Sequence, residues 1–192
     1  MQLTARVLEN AFVRLEPMET RHYEALKAAG ADPSIWTLQP FNIDKGFDAY
    51  FAWIREEQAQ GRWMPHAVIA PDGRVVGQSC YLNIRPEHDG VEIGGTWYVT
   101  EARGTSINPA AKLLLFGHAF DSGAERADQK TDAINARSRA AMLKSGATFE
   151  GIHRHAVRRK DGSWRDNAWY SVLREEWPAM KAGLEARLAA FS

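Results

Sequence analysis

The chemistry open to this chain is concentrated between Val91 and Phe120. Thr100-Glu101-Ala102-Arg103-Gly104-Thr105-Ser106-Ile107-Asn108 is a stretch of small and polar residues. It follows the β-branched and aromatic run Val91 to Val99 and precedes an apolar run to Phe120. The pattern reads as strand, loop, helix, with Asn108-Pro109 as the expected helix start. Asn accepts hydrogen bonds from the first free N–H groups, and Pro lacks an N–H where none has a partner. Unpaired N–H groups and the positive end of the helix dipole fit such a loop for an anion. The Gly-Lys-Ser/Thr of a nucleotide P-loop is missing, as are the three spaced glycines of a dinucleotide fold.

Three other features invite chemical readings. Cys80 is the single cysteine. Between Ser79 and Tyr81 in a strand, it reads as a packed thiol rather than a nucleophile, and no intrachain disulfide can form. His153 and His155 share one strand face and offer a pair of metal ligands. No Cys, Asp or Glu follows at ligand spacing, so the pair reads as hairpin surface and no metal is expected. Arg154, Arg158, Arg159, Lys160 and Arg165 make the same hairpin basic. A solvated face is the simpler reading, with contact to an acidic substrate or RNA as the alternative.

These groups must be held by a chain of 192 residues, long enough for one domain with a sizeable core. Without repeat, low-complexity tract or linker, residues 1–192 read as a single domain. Lys and Arg balance Asp and Glu at 24 each, which argues against a nucleic-acid binder relying on bulk positive charge, and DNA is not an expected partner. No charged-then-apolar leader and no run of membrane-spanning length is evident, so a cytoplasmic location without membrane contact is expected.

Periodicity supplies the elements. Phe12 to Pro17 alternates as a first strand, and Thr20 is the expected cap of a helix that Gly30 stops in the left-handed conformation. Residues 31–43 form an irregular aromatic segment. Asp44 is the next expected cap, with Phe47, Tyr50, Phe51 and Ile54 as a core stripe. Strands follow at 64–70 and 74–83 around Pro71-Asp72-Gly73, then at 91–99 after a turn over 85–90. After the helix from Pro109 come a strand from Gln129 to Ile134 and a helix that Asn135 caps and Gly146 ends. Strands 149–158 and 164–173 flank Lys160-Asp161-Gly162-Ser163, and an amphipathic piece from Trp177 to Ala190 closes the chain. This mixed order implies an α/β sheet covered on both faces.

Several segments in this order resemble the GNAT-type N-acetyltransferases, in particular the ribosomal-protein N-terminal (RimJ/RimL-type) branch. Glu92-Ile93-Gly94-Gly95-Thr96-Trp97 is similar to that branch's acidic, glycine-containing fourth strand, and Arg103 to Asn108 to its coenzyme loop. Thr131-Asp132 with Asn135-Ala136-Arg137-Ser138 resembles the next strand and helix start. Gly146 to Gly151, Arg165-Asp166 and Tyr170-Ser171-Val172 complete the likeness, which spans Phe12 to about Pro178. The resemblance implies the GNAT fold, a central mixed, mostly antiparallel sheet flanked by helices on both faces. Where the family loop carries Gly or Ala, this chain has Ser106 and Asn108. Gly tolerates positive φ and close backbone approach, whereas Ser is strained by both.

What the resemblance implies is acetyl transfer from acetyl-CoA to a primary amine, most simply the N-terminal α-amine of a protein or peptide. Small-molecule amines and a non-catalytic acyl-CoA-binding module are the alternatives, and a homodimer is left open. Glu92 is the implied general base, acting through a water; desolvation in a mostly apolar strand suits proton acceptance. The Val99 N–H would polarise the thioester carbonyl, alongside Trp97 and Tyr98. The N–H groups of Gly104, Thr105, Ser106, Ile107 and Asn108, next to Arg103, would bind the pyrophosphate. Ser138 would protonate the departing thiolate, and Asn135 would cap the helix and touch the coenzyme.

Overall fold

A computed structural model describes all residues except 42, 44, 160 and 192. In chain order the elements are β1 (Leu8–Asn10), β2 (Val13–Pro17), α1 (Tyr23–Ala29), α2 (Gly46–Ala59), β3 (Trp63–Ile69), β4 (Val75–Arg85) and β5 (Gly90–Tyr98). There follow α3 (Ile107–Asp121), β6 (Arg126–Asp132), α4 (Ala136–Ser145), β7 (Thr148–Arg158), β8 (Trp164–Leu173) and α5 (Trp177–Ala189). All eight strands form one sheet in the order β1-β2-β3-β4-β5-β6-β8-β7. Every pairing is antiparallel except β5 with β6. The sheet is therefore mixed and mostly antiparallel, as expected.

Each face of the sheet has its own core. Val91, Ile93 and Tyr98 of β5 share one cluster with Ala111, Leu115 and Phe116 of α3 and Leu184 of α5. On the other face, Cys80, Leu82 and Trp97 pack with Leu26 of α1 and with Tyr50, Phe51 and Ile54 of α2. The irregular aromatic segment joins this second cluster: Trp36 lies 5.0 Å from Tyr50 and 5.3 Å from Trp97, ring centre to ring centre. Helices α1 and α2 pack chiefly on β4 and β3 there, with Trp97 of β5 reaching α2. Among the described residues, neither of these helices packs chiefly on the half of that face built from β6, β8 and β7.

The feature that positions a site is the single parallel pairing. It joins Gly90 to Arg126, Val91 to Ala127 and Glu92 to Asp128, and then stops. Strand β5 turns away at Gly95, whose φ of +58° suits glycine. A Cβ there would lie 3.0 Å from the Trp63 ring and 3.2 Å from Cys80 Sγ. Past Glu92 the sheet is split, and the β6-facing backbone of β5 has no strand partner. On the side of β5 away from the split, Gly77 of β4 lets the paired strands approach closely. A Cβ on Gly77 would stand 2.1 Å from the Trp97 carbonyl oxygen. Gly77→Ala is therefore expected to cost about 1–3 kcal/mol, the usual penalty of overpacking. Denaturant unfolding checks this; an unchanged midpoint would mean the two strands separate freely.

The structure moves several boundaries read from the sequence. Strand β1, at three residues, is too short to show a period. Gly30 ends α1 with φ −85°, outside the left-handed region, because the chain continues into a turn. Thr20 opens a 3-10 turn capped by Glu19, and α1 starts only at Tyr23. Strand β6 runs Arg126–Asp132, three residues earlier at its start than Gln129. Helix α3 begins at Ile107 with Ser106 before it, so Asn108 is not its cap. Pro109 fits the first turn because no N–H there has an intrahelical acceptor. The expected cap Asp44 and the turn residue Lys160 lie outside the described residues.

Candidate active site

Glu92 stands at the last paired position before the split and is only 1% exposed. Its surroundings are more polar than its own strand suggests. Oε2 accepts hydrogen bonds from Asn83 Nδ2 at 2.5 Å and from Lys130 Nζ at 2.7 Å. Asn83 adopts φ +44°, a left-handed conformation that asparagine tolerates and that follows a break in the β4–β5 register. Oε1 is buried without a partner. One carboxylate oxygen is thus anchored, and the other keeps its lone pairs for a proton or a water. Arg165, 5% exposed, and Asp132, 1% exposed, lie deeper in the same polar system. Burial holds the Arg165 guanidinium below its ordinary value, while Asp132 and Glu92 pull the other way.

Beyond Glu92, β5 offers backbone groups to the split. The Thr96 carbonyl accepts from Gln39 Nε2 at 3.0 Å and the Tyr98 carbonyl from Arg103 Nε at 3.1 Å, so both turn away from β4. In a strand the N–H and C=O of one residue point the same way, so the Tyr98 N–H faces the split too. The Val99 N–H does not: it donates to Val76 O at 2.9 Å. The Val99 N–H expected to polarise a carbonyl is thus taken up by β4, and the Tyr98 N–H is the one that faces the split. The Trp97 and Tyr98 side chains are core, Trp97 Nε1 donating to Tyr50 Oη at 3.3 Å.

The loop entering α3 has the makings of an anion cradle. Among the described residues, the N–H groups of Gly104, Thr105, Ser106 and Asn108 have no acceptor, while that of Ile107 donates to Thr105 Oγ1 at 3.3 Å. Gly104 takes the positive φ of +78°. Ser106 sits at φ −66° and ψ −19°, so the strain expected of serine does not arise there. Its hydroxyl makes no cap bond. The Arg103 guanidinium is held below its ordinary value by burial and by the neighbouring charge of Arg137, with Asp32 and Glu101 opposing. Two arginines, from the loop and from the start of α4, therefore converge on one region. Asn135 caps α4 as expected, its side chain accepting from the Ser138 N–H at 3.1 Å. Ser138 is half-buried, and its hydroxyl has no partner among the described residues.

An acidic residue at a splayed strand pair, followed by an N–H-rich loop at a helix start, is the geometry that family comparison decides. Residues 13–148 match the family model described as "Acetyltransferase (GNAT) domain". The chain belongs to the GNAT acetyltransferase family. A T. thermophilus protein described as an acetyltransferase is 34% identical, with TM-score 0.88 and coverage of 98% of this chain and 100% of that one. Mycobacterium smegmatis RimJ in complex with CoA-disulfide shares the fold at 21% identity, TM-score 0.80, covering 97% of each chain. The Vibrio fischeri ribosomal-protein-S5-alanine acetyltransferase shares it at 15% identity and TM-score 0.72, covering 90% and 98%. No curated protein sequence matches the chain significantly. The chain is an N-acetyltransferase.

Sequence reasoning missed the partners of this acetyltransferase's Glu92. Asp128 and Lys130 alternate with Ala127 and Gln129 in β6, a pattern that reads as an ordinary polar face. In the structure that face continues as a track of polar groups across the β6, β8 and β7 half of the sheet. Lys130 lies 4.9 Å over the Trp169 ring. Asp128 meets Arg85 and Arg126 at 2.6 Å each, and Ser171 Oγ donates to Glu150 at 2.8 Å. A surface groove of about 500 Å³ lined by Asp128, Glu150, His153 and Trp169 lies on it. The two histidines are not a pair. A register break separates them, His153 packing on Trp169 and His155 stacking on Trp164. No cluster of three metal-ligating groups occurs among the described residues, and no helix among them is long and apolar enough to cross a membrane. Cys80 is fully buried, and burial pushes its thiol up, as a packed residue requires.

Proposed function

We propose that this acetyltransferase moves the acetyl group of acetyl-CoA to the N-terminal α-amine of a protein or peptide, with Glu92 as the base. The observation that carries the reading is the unpartnered Oε1 of Glu92, buried at the head of an open polar track. An extended chain laid on the polar face of β6, β8 and β7 brings its first amine to Glu92, while its following residues meet the groove. The Leu38–Gln39 segment, bonded to Arg165 and to the Thr96 carbonyl, borders the site on one side, and the groove on β7 and β8 leaves the other side open for a chain. The neighbours that bind CoA-disulfide or act on a ribosomal-protein alanine support the same donor and acceptor classes.

In this reading the pyrophosphate lies on the free N–H groups of residues 104–106 and 108, with Arg103 and Arg137 beside it. The pantetheine arm enters the split along β5, and the Tyr98 N–H donates to the thioester carbonyl. Thiol release measured over N-terminal peptides, free amino acids, polyamines and aminated antibiotics tests the acceptor. Peptides are expected to be favoured. Faster release with any small amine would overturn the peptide reading, and coenzyme binding without release on any amine would support a binding module.

The Ser138 hydroxyl is assigned the hydrogen bond to the departing sulfur. A single neutral hydrogen bond contributes roughly 0.5–1.5 kcal/mol. Ser138→Ala should therefore slow kcat by no more than about tenfold and leave the melting temperature in place, because Asn135 caps through the backbone of Ser138. An unchanged rate would assign that contact to water.

A further inference from the structure

A buried lysine stands under the split, and none of the roles assigned so far uses it. Lys112 is on α3, on the turn after Ser106, and is 8% exposed. Among the described residues its ammonium makes neither a hydrogen bond nor an ion pair, and it is not among the fully enclosed polar atoms, so the end of a largely buried side chain still meets solvent. The rest of this helix face is ordinary core, with Ala111, Leu115 and Phe116 fully buried. Helix α3 packs on both β5 and β6, the two strands that part after Glu92. The charge acting on Lys112 is the carboxylate of Glu92 on β5; Cys80 of β4 is a neutral, packed thiol. Lys130 of β6 is bound to Glu92 itself. No charge on β1, β2 or α5 acts on Lys112, and His118 and Asp121 lie farther along α3.

Glu92 and Lys112 belong to opposite faces of the sheet beside the gap, Lys112 on the sheet-facing side of α3 that it shares with Leu115 and Phe116. Glu92 shares its face with Leu82, its partner across β4, in the cluster beneath α1 and α2. Lys112 comes from α3, which packs on the other face. An acyl group held in the gap would have the Glu92 carboxylate on one side and α3, with its lysine, on the other. Acetyl transfer needs both: a proton must leave the acceptor nitrogen, and one must reach the departing sulfur.

We propose that Lys112 is the proton source for the coenzyme thiolate, a catalytic residue acting from the α3 side of the split. As the acceptor nitrogen bonds to the acetyl carbon, its proton passes to Glu92 through water. As the C–S bond breaks, the sulfur takes a proton from the Lys112 ammonium, leaving a neutral amine. Solvent returns that proton to Lys112 after the thiol departs, and Glu92 releases its own. Ser138 places the sulfur, and Lys112 supplies the charge-neutralising proton. Desolvation, opposed by the Glu92 carboxylate, lowers Lys112 to about 8, so it holds its proton at neutrality and releases it readily. This assignment rests on the coenzyme lying in the split, not on which amine is the acceptor.

Lys112→Met separates a catalytic from a structural lysine because the two readings predict different combinations. Met is apolar and of similar length, so the variant should melt at or above the parent at pH 7. In the parent the buried ammonium destabilises the fold below about pH 8; that penalty fades as pH rises toward 10.5, the value for the free group. The melting difference should close over that window. With CoA affinity within a few-fold of the parent, kcat should fall by roughly 10²-fold, and the decline of the parent's kcat above about pH 8 should vanish. A stable variant with the parent's kcat and pH profile would overturn the proposal.

Trace acetylation of the folded protein by acetic anhydride gives a second reading independent of any acceptor. Lys112 should react at lower pH than the other lysines, and saturating CoA should block it. Labelling of Lys112 that ignores CoA, or no labelling with or without it, would remove the amine from the cleft. Protection by CoA together with inactivity on peptides would instead retain Lys112 and overturn only the peptide acceptor.

Discussion

Glu92→Gln is expected to lower kcat by roughly 10²–10⁴-fold, the range for a positioned general base, while CoA binding stays within a few-fold. Gln is isosteric and still accepts through its carbonyl oxygen, so Asn83 and Lys130 keep an acceptor at the position of Oε2. What it loses is the second carboxylate oxygen, the one buried without a partner. The fold should tolerate the change. The Lys130 side chain is 25% exposed and can recover solvent once its counter-charge is gone, whereas Glu92 itself is 1% exposed. A folded Glu92→Gln protein with kcat within a factor of a few of the parent would leave the carboxylate with only its structural role toward Lys130.

The part of this site legible in the sequence is the part whose environment is local. A lone carboxylate between Val91 and Ile93 stands out whatever the fold, and the structure buries it. Asn135 reads as a cap because capping is decided within four residues, and its side chain does accept from the Ser138 N–H. The aromatic stripe Phe47, Tyr50, Phe51 reads as core for the same reason, since one helix face suffices to place it.

What stays hidden depends on pairing across the sheet. Lys130 belongs to Glu92 only because β5 and β6 run parallel for three residues and then part. No feature of residues 126–132 announces that; their charges look like a solvated face, and periodicity alone starts the strand three residues late. The Val99 N–H turns to β4 and not to the split, because one residue along a strand reverses the side to which the N–H points. That parity is set by the turn at Gly95 and the break in the β4–β5 register. Ser106 looks strained beside a glycine-bearing loop, yet Gly104 takes the positive φ and leaves Ser106 helical. Lys112 is invisible for a different reason. A lysine in a helix reads as exposed unless the neighbouring strands are known to open beneath it.

Ser106→Asp should abolish coenzyme binding while leaving the fold as stable as before or more so. Ser106 is the residue before α3, and its hydroxyl makes no cap bond. Asp suits the first turn, because its carboxylate favours the positive dipole end and stands beside the free N–H groups. Those are the donors assigned to the pyrophosphate. The substitution therefore satisfies the cradle from within and adds a negative charge where the phosphates belong. Hydrogen bonds to charged groups contribute about 1.5–3 kcal/mol each, so losing two weakens CoA by at least roughly 100-fold. Ser106→Gly separates charge from geometry. The position needs no positive φ, so glycine relieves no strain and removes only a neutral hydroxyl; affinity should stay within about tenfold. Calorimetric titration with CoA, beside melting curves for both variants, measures the contrast. Parent-like CoA binding by a folded Ser106→Asp protein would move the coenzyme phosphates away from this loop.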